Sequence, residues 1–152
     1  MRSHKLIGWA LLALCMACGD GDEDDSKDSA MTKSSPSSFA QQVTLGQEVY
    51  GQSCAGCHGA MGQGTDKAPR VVGLDEGALP LKPPSGRKVR TEDFVTVADV
   101  ANFVVAKMPP DKPGSLSTDK YLAVLAFDLK ANGINLDKKL DLEVAEGLTI
   151  PR

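Results

Sequence analysis

Three stretches of the chain carry apolar or small residues at spacings of three and four, the period of a helix with one buried face. No stretch alternates apolar and polar residues in the manner of a strand. The inner-face positions are Val43, Gly46, Tyr50 and Cys54 in the first stretch, Val97, Val100, Ala101 and Val104 in the second, and Leu122, Leu125 and Leu129 in the third. The pattern predicts an all-α domain with about three main helices.

Capping residues and helix breakers mark the ends of these helices. The first is expected to begin near Ala40, and Thr96 and Ser117 can cap the second and third. Pro109-Pro110 ends the second helix, and Asn132-Gly133 ends the third. Between the first two helices the chain is rich in glycine and proline, at Gly59, Gly62, Gly64, Pro69, Gly73, Pro80, Pro83, Pro84 and Gly86. This composition predicts loops.

The N-terminal residues have the composition of an export signal. Arg2, His4 and Lys5 precede an apolar run over residues 6–17. This run is shorter than the about 20 residues that a membrane-spanning helix needs. Residues 1–17 are therefore predicted to be a signal peptide.

The end of the apolar run resembles a bacterial lipoprotein signal, because Ala17 precedes Cys18 as a small residue precedes the lipid-bearing cysteine in that family. Cys15 and Met16 depart from its usual residues. The resemblance implies lipidation at Cys18, with ordinary cleavage or an uncleaved anchor as alternatives. Two or more acyl chains are sufficient for stable membrane anchoring.

Residues 18–38 are predicted to be a disordered tether. They contain almost no apolar side chain and six acids, Asp20, Asp22, Glu23, Asp24, Asp25 and Asp28. Such a segment cannot form a hydrophobic core, and its like charges repel one another, although it could instead dock onto a basic partner.

The rest of the chain has nearly equal numbers of basic and acidic residues, so no basic excess supports nucleic-acid binding.

The candidate chemistry lies in Cys54-Ala55-Gly56-Cys57-His58. Two cysteines nearly one helical turn apart can both bond to vinyl groups at one porphyrin edge, and the histidine that follows can ligate the iron. A zinc site needs further ligands, and outside this motif the chain offers only Cys15, Cys18 and His4. A thioredoxin-like site needs strands around the motif. The motif predicts one covalently attached haem c.

The donors that the chain offers limit which residue can be the second axial ligand of the iron. After signal removal His58 is the only imidazole, so a second histidine is excluded, which leaves Met31, Met61, Met108 and the lysines. Met31 lies in the predicted tether, and Met61 is three residues past His58. Met108 lies fifty residues away on a proline-stiffened loop, which lets the chain pass around the porphyrin edge. Met108 is favoured over the alternative that it fills the core.

With the haem motif, three flanking segments resemble class I, single-haem cytochrome c. Residues 46–50 resemble the first helix of that family, whose glycine permits close crossing by the last helix. Residues 121–127 resemble that last helix, and residues 108–117 resemble the loop that supplies the methionine ligand. The resemblance covers residues 40–133.

This resemblance implies a small cytochrome c fold over residues 39–133, with loops wrapped around one haem. It implies that Cys54 and Cys57 bind the cofactor and that His58 and Met108 ligate the iron. Pro69 resembles the proline whose carbonyl accepts a hydrogen bond from the ligating histidine.

Two further segments leave alternatives open. The basic residues Arg70, Lys82, Arg87, Lys88 and Arg90 could pair with haem propionates or be solvated surface charges. Residues 134–152 form a C-terminal extension with some apolar content, expected to pack on the domain, or alternatively to dock onto a partner subunit.

These features favour an electron-transfer protein over an enzyme. We expect a monomeric single-electron carrier, tethered by lipid to the periplasmic face of a bacterial membrane, with redox-protein donor and acceptor partners. One alternative is a cytochrome subunit of a dehydrogenase or oxidase complex. The other is a haem-based sensor in which Met108 detaches.

Overall fold

The computed structural model describes residues 35–86 and 89–151. The predicted signal peptide, Cys18 and most of the predicted tether lie outside these residues. The described elements are α1 (Phe39–Ser53), α2 (Ala55–His58), a 3₁₀ turn (Leu74–Glu76), α3 (Val97–Lys107), α4 (Thr118–Ala131) and α5 (Leu142–Gly147). The predicted all-α fold with three main helices is confirmed. Within the described ranges, no helix is long and apolar enough to cross a membrane.

A capping box explains where α3 begins. The Thr96 side chain accepts a hydrogen bond from the Asp99 backbone N–H, and the Asp99 carboxylate accepts one from the Thr96 N–H at 2.8 Å. Backbone donors of Thr96 and Val95 lower the pKa of Asp99, which keeps this capping box charged. α4 begins directly after Ser117, as predicted, although the Ser117 side chain makes no capping hydrogen bond.

α1 and α4 cross at close range at Gly46. A Cβ atom built on Gly46 would lie 1.9 Å from the Ala123 carbonyl oxygen and 2.9 Å from Phe127 Cβ. One turn further along α1, the Tyr50 ring lies 5.1 Å from the Phe127 ring. Only glycine permits this backbone approach, so the predicted role of Gly46 is confirmed.

The C-terminal extension packs into the same core as the helices. Leu140 and Ala145 are fully buried, and Ile150 is nearly so. The buried Gln42 amide of α1 donates to the Leu140 carbonyl at 2.8 Å and accepts from the Leu140 N–H at 2.7 Å. These paired hydrogen bonds satisfy the polar groups that the extension brings into the core.

We expect Gly46→Ala to lower the free energy of unfolding by at least about 1–3 kcal/mol, because the added methyl group overlaps the α4 backbone. Gly51→Ala is the matched control. It lies in the same helix, its Cβ would have no neighbour within 4 Å, and alanine favours helices by up to about 1 kcal/mol. Urea unfolding of both variants measures the difference. Equal stability of the two variants would contradict the close crossing.

Candidate haem site

The cysteine–histidine motif forms one tight helical turn at the end of α1. The Cys54 N–H donates to the Tyr50 carbonyl at 2.9 Å, and the Cys54 carbonyl accepts from the N–H groups of Cys57 at 3.1 Å and His58 at 2.9 Å. Both thiols are free and half-buried. The helical turn therefore presents the two sulfurs and the imidazole from one short backbone segment.

The imidazole of His58 is oriented by a backbone carbonyl. Its Nδ1 lies 2.7 Å from the Pro69 carbonyl oxygen, and because a carbonyl can only accept, Nδ1 carries the proton. Nε2 is then left with a free lone pair, as a metal ligand requires. The loop that brings Pro69 back is closed by hydrogen bonds from Gly64 N–H to the His58 carbonyl at 2.7 Å and from Thr65 N–H to the Ala68 carbonyl at 2.9 Å.

Asn132 holds the segment that follows Pro69 against the end of α4. Its side-chain amide donates to the Val71 carbonyl at 2.9 Å and accepts from the Gly73 N–H at 2.8 Å. Sequence analysis identified Asn132 only as a helix terminator. An asparagine at a helix end is a common cap, so nothing in the pattern indicated this long-range contact.

Met108 is the residue that follows α3, and a buried tyrosine of α4 holds it there. Its N–H donates to the Val104 carbonyl at 2.8 Å, and its own carbonyl accepts from the Tyr121 hydroxyl at 2.8 Å. The same hydroxyl accepts a long hydrogen bond from the Leu116 N–H at 3.5 Å. One phenol therefore holds both ends of the loop that was predicted to carry a ligand. Sequence analysis placed Tyr121 in the last helix but assigned it no role at the site.

The other methionines differ from Met108 in their surroundings. The Met108 side chain is half-buried, whereas Met61 is 76% exposed. Met31 lies outside the described residues. Met108 is therefore the less exposed of the two methionines that the structure describes.

Two of the basic residues considered for haem propionates have protein partners instead. Arg70 forms an ion pair with Glu76, and Lys82 lies 3.9 Å from Asp93 in an exposed pair. Residues 87–88 lie outside the described ranges.

Arg90 differs from these, because its guanidinium is buried and forms no hydrogen bond or ion pair with a described residue, although the charge of Asp93 acts on it. The residue is 7% exposed, and none of its three side-chain nitrogens has a hydrogen-bond partner in the described part of the chain. Its guanidinium carbon lies 3.8 Å from the centre of the Phe94 ring, and burial lowers the pKa of Arg90. A cation–π contact does not satisfy the N–H donors, so this site is suited to a carboxylate.

The donor set of these residues fits haem c. Two unpaired thiols, an imidazole with a free Nε2 and a buried guanidinium without a described hydrogen-bond partner match thioether attachment, axial ligation and propionate binding. Burial raises the pKa of the Cys54 thiol to about 11, so it is protonated at neutral pH until it is alkylated. Among the described residues, no group of three or more His, Cys, Asp or Glu side chains could hold a metal ion by itself.

We expect Tyr121→Phe to lower the free energy of unfolding by about 0.5–1.5 kcal/mol, because the Met108 carbonyl loses its donor. Thr44→Val removes a hydroxyl of matched type from an exposed hydrogen bond within α1 and should have a smaller effect. Urea unfolding compares the two. An equally small change in the free energy of unfolding of both variants would show that the Tyr121 hydroxyl does not stabilise the Met108 loop.

Comparison with known proteins places the site in a family. The family model described as cytochrome c oxidase, cbb3-type, subunit III matches residues 41–127. Cytochrome c-551 of Bacillus subtilis (strain 168) is 39% identical over 57 residues, which is 38% of this chain and 46% of that protein. A chain in the crystal structure of the sulfane dehydrogenase SoxCD from Paracoccus pantotrophus superposes with a TM-score of 0.54 and 30% identity, over 72% of this chain and 53% of that chain.

The chain thus spans about half the length of these two relatives. The family match covers more than half of the chain and includes the haem motif, all of α3 and most of α1 and α4. The protein therefore belongs to the cytochrome c family described as cytochrome c oxidase, cbb3-type, subunit III.

Proposed function

We propose that this protein is a single-electron carrier in which one haem c is attached through Cys54 and Cys57 and ligated by His58 and Met108. The observation that carries the proposal is the 2.7 Å contact between His58 Nδ1 and the Pro69 carbonyl. It holds the imidazole beside both thiols with Nε2 free to bind iron. A free Nε2 next to two thiols one turn away is the arrangement that haem c attachment needs.

When bound, the haem supplies an iron that alternates between the ferric and ferrous states. The residues of this chain hold and orient it. Pro69 orients the His58 ring, Tyr121 holds the Met108 backbone, and Arg90 offers its guanidinium to a propionate. None of these roles transforms a substrate, so the proposal is electron transfer without catalysis.

Ligation by His58 and Met108 would suit this function. A thioether opposite an imidazole raises the reduction potential and leaves no open position on the iron for oxygen or peroxide. The Met108 backbone is hydrogen-bonded to both α3 and α4, which supports a ligand that stays bound through the redox cycle.

We also propose that the domain is exported and held at the periplasmic face of a bacterial membrane by lipid on Cys18. The support is the sequence of the first 38 residues. A lipid anchor and an acidic spacer would keep the domain near its donor and acceptor, which raises the effective concentration of each.

Absorption spectroscopy of the holoprotein tests the proposed function. We expect a low-spin spectrum with the weak sulfur-to-iron band in the oxidised state, a reversible one-electron couple, and no change when carbon monoxide is added to the reduced state. Met108→Leu should remove the sulfur band and admit carbon monoxide, because an open iron position remains. Met61→Leu is the matched control and should leave the sulfur band, the redox couple and the lack of carbon monoxide binding unchanged. Carbon monoxide binding by the unmodified protein at neutral pH would favour the sensor instead.

A second candidate function is a cytochrome subunit of an oxidase or dehydrogenase complex. The names of the matching family and of the SoxCD structure favour it, since both describe such enzymes. Purification from native membranes in mild detergent separates the candidates. A second polypeptide in stoichiometric amount would identify a subunit, whereas a monomer that accepts and donates electrons would support the free carrier.

A further inference from the structure

Asp128 is a buried carboxylic acid on α4. Its side chain makes no hydrogen bond or ion pair with a described residue. It is 8% exposed, and its Oδ1 atom has no hydrogen-bond partner in the described part of the chain. It borders a cavity of about 10 Å³, at the lower limit for one water molecule. The other residues that line this cavity are all apolar: Leu79, Val97, Val100, Leu125, Leu129, Ile134 and Ile150.

The elements around Asp128 supply apolar groups on most sides and two titratable groups on one side. α3 contributes Val97 and Val100, and the C-terminal extension contributes Ile150. From α1 and its end come the Tyr50 hydroxyl and the Cys54 thiol. Burial raises the pKa of each, and the charge of Asp128 raises it further. No cation of the described residues forms an ion pair with Asp128. The carboxyl group is thus coupled electrostatically to the cysteine of the proposed haem attachment.

Burial without a counterion favours the neutral acid. Desolvation raises the pKa of Asp128 to about 8, so the group titrates close to physiological pH. An iron in the ferric state carries one more positive charge than in the ferrous state, and that charge favours the carboxylate.

We propose that Asp128 is a redox-linked proton site, whose carboxylate takes up one proton from solvent when the protein accepts an electron and releases it when the electron leaves. One electron from the donor protein and one proton from water enter together, and both are returned on oxidation. The inference rests on the proposed electron-transfer function. Linkage is reciprocal, so protonation of Asp128 also favours the reduced state.

The test is the reduction potential of the holoprotein between pH 5 and pH 10. We expect the potential to fall as pH rises between the pKa values of Asp128 in the two oxidation states. A tenfold difference in proton affinity between those states corresponds to about 59 mV for one electron. Asp128→Asn keeps the shape but cannot titrate, so its potential should lose this dependence. Asp137→Asn, an exposed carboxylate in the loop after α4, is the control and should keep it.

The outcomes separate this inference from the proposed function. The same pH dependence in Asp128→Asn as in the unmodified protein would assign the proton to another group, such as a haem propionate, and overturn the role of Asp128. A reversible couple that is independent of pH would do the same. A protein with no reversible one-electron couple would instead overturn the proposed function.

A measurement on the unmodified protein keeps the inference testable should Asp128→Asn fail to fold. Titration of the side-chain carboxyl ¹³C resonance of Asp128 gives its pKa in each oxidation state. We expect a higher pKa of Asp128 in the ferrous than in the ferric protein, because the added electron lowers the positive charge of the iron that favours the carboxylate. Equal values in the two states would overturn the inference.

Discussion

The close crossing of α1 and α4 at Gly46 is the constraint on which the rest of the site depends. α1 ends at the motif, so its position sets where Cys54, Cys57 and His58 lie. α4 carries the Tyr121 hydroxyl at one end and Asn132 at the other. Because the two backbones touch, a movement of either helix would shift the haem-attachment turn relative to the loops that α4 holds.

Hydrogen bonds to backbone carbonyls position both groups proposed to bind the iron. The Pro69 carbonyl orients His58, while the Met108 carbonyl is itself held by Tyr121. The loops that carry Pro69 and Met108 contain little regular secondary structure. Their shape comes from such hydrogen bonds and from the glycines that permit tight turns. Gly64, for example, has a φ of 83°, and a Cβ there would lie 2.7 Å from the Arg70 backbone nitrogen.

Two ionisable side chains in the interior without described hydrogen-bond partners distinguish this domain. Arg90 has a buried guanidinium without a described hydrogen-bond partner, and Asp128 has a buried carboxyl group without a described ion-pair partner. Leaving such groups unpaired costs stability, so their presence is explained more readily by function than by packing. We propose that the partner of Arg90 is the carboxylate of a haem propionate. For Asp128 we propose a proton.

The sequence by itself determined the haem motif, the all-α class and the limits of the three main helices, because periodicity, capping residues and the spacing of two cysteines are local properties. The close crossing at Gly46 was also accessible, through resemblance to a family. Tertiary structure alone decided that residues 140–150 complete the core, that Tyr121 and Asn132 hold the loops, and that Arg90 and Asp128 are buried without partners. These depend on contacts between residues distant in sequence. The burial of a polar side chain follows from what surrounds it in space, which no local pattern records.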